Sequence, residues 1–197
     1  MRALVVTVAL RGGVVVGDPL AQALAFLEAY GAPQDDALSS SFGEADLRAA
    51  NRGGARISAA EIAAILECRA GIEGALRAID PAASLTRRSV PWAELTRLFA
   101  AFGDIRGVGF SKMTKALHPK RPALVPMLDS FVQQYLGAPS AESFGEGATE
   151  LVRRYKQDVD LNRRALRELE RELASHGYRL TEVRILDLLI WSAFAAG

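Results

Sequence analysis

Residues 103–122 read Gly103-Asp104-Ile105-Arg106-Gly107-Val108-Gly109-Phe110-Ser111-Lys112-Met113-Thr114-Lys115-Ala116-Leu117-His118-Pro119-Lys120-Arg121-Pro122. Just before them, Pro91 opens a helical pattern with Trp92, Leu95, Leu98 and Phe99 on one face. A helix, a short turn with Gly107 and Gly109, and a second helix predict a helix-hairpin-helix over about 91–117. The glycines permit positive φ and a close backbone approach to a ligand. A helix that starts after such a turn presents unpaired N–H groups and partial positive charge. With Ser111 in the first turn and Lys112 and Lys115 on the helix, that end can cradle a phosphate. The competing reading is an ordinary turn between two helices with a glycine cap.

Working outward, no acidic residue stands between Asp104 and Asp129, whereas Arg106, Lys112, Lys115, Lys120, Arg121 and the titratable His118 fall in that gap. His118-Pro119-Lys120-Arg121-Pro122 suits the wall of a nucleic-acid groove, or else a solvated loop. The flanks on both sides are helical in pattern. Asp18-Pro19 starts a helix with Leu20, Leu24 and Leu27 as its stripe, ended by Gly31. Residues 32–43 read as loop, Glu44 to Asn51 as a short helix, and Ser58-Ala59-Ala60-Glu61 as a capping box opening another. Further helices are expected over about 72–79, Leu128–Leu136, Leu151–Leu173 (whole or broken) and Thr181–Phe194. Only residues 2–16, rich in Val and turned by Arg11-Gly12-Gly13, read as a β-hairpin. The predicted fold is mainly α, two-lobed around the helix-hairpin-helix, with a small N-terminal β-hairpin, forming one domain over 1–197.

Composition narrows the function classes. The chain has 197 residues, 50% hydrophobic and 24% charged, which excludes a disordered or low-complexity protein. A formal net charge of +1 requires any nucleic-acid affinity to come from a local patch. One Cys and two His exclude a disulfide and a Cys/His zinc site within the chain, and fit the reducing cytoplasm. No cofactor and no metal are called for. The apolar start lacks the basic region and cleavage site of a secretory signal, and the run from Leu186 to Ala196 contains Asp187 and is too short for a bilayer, so no membrane partner is expected.

Gly107-Val108-Gly109 followed by Val125-Pro126-Met127-Leu128-Asp129-Ser130-Phe131-Val132 resembles the helix-hairpin-helix/Gly-Pro-Asp superfamily of DNA glycosylases. In that resemblance Asp129 takes the place of the catalytic carboxylate. Ser111, 18 residues earlier, stands where bifunctional members carry a Schiff-base lysine, which is similar to the monofunctional branch. Met113 and Arg106 depart from the pattern, which usually has a small residue and a proline there. The phrase Ser111-Lys112 … Leu117-His118-Pro119-Lys120-Arg121-Pro122 … Pro126 … Asp129-Ser130 also resembles an uncharacterised bacterial family.

The first resemblance implies a monofunctional, DNA-glycosylase-like hydrolase acting on duplex DNA. A carboxylate beside the sugar would stabilise an oxocarbenium-like transition state once the nucleotide is flipped out. Asp129 would be that carboxylate, with Gly107, Gly109, Ser111, Lys112, Lys115, His118, Lys120 and Arg121 as nucleic-acid contacts. Asp129 is equally suited to cap the helix that follows it. The alternatives are a non-catalytic nucleic-acid-binding module and a helical protein-interaction scaffold. Elsewhere, Asn51-Arg52-Gly53-Gly54-Ala55-Arg56 reads as a helix end with solvent arginines or a basic loop facing a cleft, Trp92 and Trp191 as core, Cys68 as a small buried residue within a helix and not a nucleophile, and Asp35-Asp36 as a wet loop.

Overall fold

A computed structural model describes residues 6–31 and 39–195 of the chain. Residues 2–5 of the expected hairpin and 32–38 of the expected loop, with Asp35-Asp36, lie outside the described residues. The N-terminal hairpin is present and small. Strand β1 (Val8–Ala9) pairs antiparallel with β2 (Val15–Val16), Val8 opposite Val16 and Ala9 opposite Val15. Gly12 and Gly13 turn the chain between them at φ 74° and 79°. Two strands this short need tertiary support. The Asn162 side chain supplies it, accepting from Ala9 N–H and donating to Ala9 C=O, each at 2.8 Å.

The rest is helical. The described residues form α1 (Pro19–Tyr30), α2 (Glu44–Arg52), α3 (Ala59–Glu67), α4 (Arg69–Arg77), α5 (Trp92–Ala100), α6 (Phe110–Leu117), α7 (Ser130–Leu136), α8 (Phe144–Leu161), α9 (Arg163–Ser175) and α10 (Glu182–Ala195). Local caps set several starts. Asp18 accepts from Ala21 N–H at 3.1 Å with Pro19 next, Ser58 and Glu61 form the capping box of α3, and Asp129 caps α7. The long C-terminal pattern breaks at Asn162, which ends α8 and precedes α9. Cys68 stands at the break between α3 and α4 and is half-buried, neither enclosed nor inside a helix as expected, and α4 starts at Arg69, earlier than the expected 72.

Helix α5 makes its most extensive contact with α8. Gly145 permits it, because a Cβ there would stand 2.8 Å from the Thr96 carbonyl and 2.9 Å from Ala100 Cβ. Helix α6, the second of the hairpin, lies on α2, while α10 touches α1, α7 and α9. The buried apolar side chains form one continuous cluster, so the expected lobes share a common core. Among the described residues, no helix is long and apolar enough to cross a membrane.

Candidate functional site

Asp129 follows a buried run, with Val125 and Leu128 fully enclosed, and its own side chain is half-buried at the start of α7. One carboxylate oxygen accepts from Val132 N–H at 2.9 Å, as an N-cap does. Three elements hold the approach to it. Thr114 of α6, buried, accepts from Leu128 N–H at 3.0 Å; Gln133 of α7 donates to Leu128 C=O at 2.7 Å; Asp187 of α10 accepts from Met127 N–H at 3.1 Å. His118 adds a fourth tie, its Nδ1–H donating to Val125 C=O at 2.7 Å. Burial, with the Arg184 charge, lowers the His118 pKa to about 4, so the ring is neutral near pH 7.

Asp129 borders a cavity of about 680 Å³ between the ends of α1 and α2, helix α6 and helix α10. That volume is of the size small-molecule sites occupy. One wall is aromatic. Phe26, Tyr30 and Trp191 pack mutually with ring centroids 4.8–5.2 Å apart, and Tyr30 remains 65% exposed. Trp191 is therefore half-buried on a cavity wall and not a core residue.

The remaining wall is charged. Lys115 donates from Nζ to Gly54 C=O at 3.2 Å. Burial lowers its pKa; the Arg184 and Arg56 charges add to that effect and Asp129 opposes it. Arg184 places its guanidinium 5.9 Å from the Phe26 ring centre, and its buried Nε has no acceptor among the described residues. Asp187 lines the same cavity and is almost wholly enclosed; burial raises its pKa to about 7 against the pull of Arg184 and Met127 N–H. A more open groove of about 760 Å³ runs between α2 and α3, but its only acid, Glu44, is paired with Arg48.

The other expected site residues separate into three groups. Gly109 stands at the N-cap of α6 with no side-chain cap, and Ser111 is half-buried in its first turn. Gly107 has the predicted positive φ, 85°, but it faces α3 and not open space: a Cβ there would overlap Glu61 Oε1. Lys112 is 2.6 Å from that same carboxylate. The Lys112 ammonium and Ser58 N–H hold Glu61 below the usual carboxylate range.

The third group corrects the groove expectation. His118, Lys120 and Arg121 are interior residues, not a surface strip. Lys120 is paired with Asp46 at 2.6 Å, and Arg121, 1% exposed, donates to the carbonyls of Leu76 at 2.7 Å and Lys120 at 2.6 Å. Buried cations need such partners. A run that looks solvated by composition is thus enclosed and tied to other elements, with His118–Lys120 in a 3-10 turn.

Sequence reasoning missed Tyr30, Arg184 and Asp187 as cavity residues. One signal was visible for the last: Asp187 is the only charge in the apolar run from Leu186 to Ala196. The helix-end reading of Arg52–Arg56 holds, with α2 ending at Arg52, Gly53 as its C-cap and both arginines exposed, and Arg52, Gly53 and Gly54 also border the cavity. Among the described residues, no group of three or more His, Cys, Asp or Glu could hold a metal.

Residues 19–194 match the family described as "Family of unknown function (DUF6308)", and the chain belongs to that family. No curated protein and no solved structure matches the chain.

Proposed function

We propose that this member of the DUF6308 family is a DNA-glycosylase-like hydrolase that acts on a nucleotide turned out of duplex DNA into the cavity. The observation that carries the proposal is the placement of Asp129 on a cavity walled by Phe26, Tyr30 and Trp191 with Lys115 alongside. Aromatic faces take a planar base, and a carboxylate beside the sugar stabilises the positive charge that develops at C1′. In the reaction the C1′–N bond breaks and the base leaves with the electron pair. Water adds its oxygen to C1′, and its proton goes to the departing base, directly or through Asp129. A base inside a duplex cannot reach such a pocket, so extrusion must precede chemistry.

The test is single-turnover cleavage of duplex oligonucleotides carrying a panel of damaged and modified bases, compared between wild type and Asp129→Asn. Asparagine also caps helices well, so this variant keeps α7 intact. Loss of about a hundredfold or more in rate, with binding to an abasic-analogue duplex retained, is the expected result. Absence of strand-specific base release across the panel overturns it. One observation favours a second reading, a nucleic-acid-binding module without turnover: an Asp129 oxygen is engaged by Val132 N–H. In that case Asp129→Asn leaves every measurable property unchanged.

A further inference from the structure

Three cations line the cavity, and the charge of a fourth acts on one of them. Arg52, Lys115 and Arg184 line it, and Arg56 is near enough to Lys115 for its charge to depress the ammonium pKa. Among the described residues, none of the four has a carboxylate within 4.0 Å; the ion pairs formed elsewhere involve other side chains. The lysines make the contrast sharp. Lys112, Lys120 and Lys156 each have a carboxylate within 2.8 Å, whereas Lys115 has only the Gly54 carbonyl. The two acids on the cavity do not neutralise the group. Asp129 acts on Lys115 from beyond pairing distance, and Asp187 is enclosed, engaged by Met127 N–H, with its pKa raised by burial.

The loop that brings Arg56 here is built for the position. Arg56 is the one non-glycine residue with positive φ, 57°, among the described residues. Its neighbours Ala55 and Ile57 are buried, and Asn51 holds Ile57 through both its amide oxygen and nitrogen, at 2.6 and 2.8 Å. Lys115 and Arg184 are half-buried while Arg52 and Arg56 are exposed; like charges facing a half-buried ammonium repel it, and an anion relieves that repulsion. The hairpin turn is not the competing anion site that its sequence suggests, because Glu61 already stands against Gly107 and Lys112.

We propose that Arg52, Lys115 and Arg184 on the cavity wall, with Arg56 beside them on the loop after Arg52, form a phosphate site, so that the cavity takes a nucleoside together with its phosphate and not the bare base or nucleoside. The proposal rests on reading the cavity as a nucleotide site, and is independent of whether Asp129 performs chemistry. The phosphate has two possible sources, a free nucleoside monophosphate or a phosphodiester of a nucleic-acid strand.

The experiment titrates intrinsic fluorescence, which Trp191 on the cavity wall reports, with dAMP, dGMP, dCMP and dTMP and with each matching nucleoside. An abasic-analogue duplex forms a further arm. The proteins are wild type, Lys115→Gln, Arg56→Gly (an exposed position, where glycine also suits the backbone) and Asp129→Asn. At least one phosphate-bearing ligand should bind about tenfold or more tighter than its phosphate-free partner, with a salt-dependent affinity. That preference should fall about tenfold in Lys115→Gln and in Arg56→Gly, and persist in Asp129→Asn. Binding of the monophosphates assigns the free nucleotide; binding of the duplex alone, weakened by both cation variants, assigns the strand. Equal affinity for nucleotide and nucleoside with no duplex binding, no binding of any probe, or a preference that survives in both cation variants overturns the proposal. Because Asp129→Asn is read here by binding, failure of base excision and failure of the phosphate site give different patterns.

Discussion

At the scale of single residues, Asp187 and His118 are two enclosed titratable groups with opposite pH signatures. Burial lifts Asp187 from an ordinary 3.8 to about 7, so between those values the folded protein holds a proton that the unfolded chain has released. Its neutral form stabilises the fold fully below the lower value, and that contribution is lost as pH rises through about 7. His118 falls from 6.5 to about 4, so its contribution is present above the higher value and lost as pH falls through the lower one. In the wild type the two therefore oppose each other over most of the same window. Asp187→Asn removes one side of the balance while keeping an acceptor for Met127 N–H. Chemical denaturation from pH 4 to pH 8 should show the variant gaining on wild type as pH rises, by at most about 4 kcal/mol, with a plateau above pH 7. Parallel curves would mean that Asp187 is ionised in the fold at low pH.

Among the elements, the hairpin joining α5 to α6 is held by a residue distant in sequence. Glu61 serves α3 as its capping-box acid and at the same time meets Gly107 and Lys112 across the turn. Gly107→Ala should cost about 2–3 kcal/mol, part from the left-handed backbone and part from displacing Glu61 from its bonds. In an Glu61→Ala background the second part is already gone, so the same substitution should cost about 1 kcal/mol less. A thermal-melt double-mutant cycle measures that coupling, and a coupling near zero would separate Glu61 from the turn.

For the whole molecule, Arg121 works as a central tie. Its guanidinium reaches the Leu76 and Ile79 carbonyls at the end of α4, at 2.7 and 3.2 Å, and the Ser40 hydroxyl at 3.2 Å, so it joins the segment after α6 to two distant parts of the chain. Arg121→Met fills much of the same volume but leaves buried carbonyls without that donor. A loss of about 3 kcal/mol or more is expected in denaturant titration, with Lys112→Ala, half on the surface, losing under about 1 kcal/mol by comparison. Equal losses in the two variants would make Arg121 an ordinary surface cation.

What the sequence determined by itself is local. The Asp18-Pro19 start and Gly31 end of α1, the Ser58–Glu61 box and the Asp129 cap were all legible, because each is closed by a bond between residues three or four apart. The mainly helical class followed from the same periodicities, and the glycine hairpin from backbone freedom at Gly107. Tertiary structure decided where the charges went. Lys120 and Arg121 left the surface because carbonyls and Asp46 from other elements could satisfy them inside, while Lys112 was claimed by Glu61, 51 residues away. Tyr30, Lys115, Asp129 and Trp191 met at one cavity only when α1, α6, α7 and α10 had packed. A charge's partner depends on distances across the fold, and no spacing along the chain encodes them.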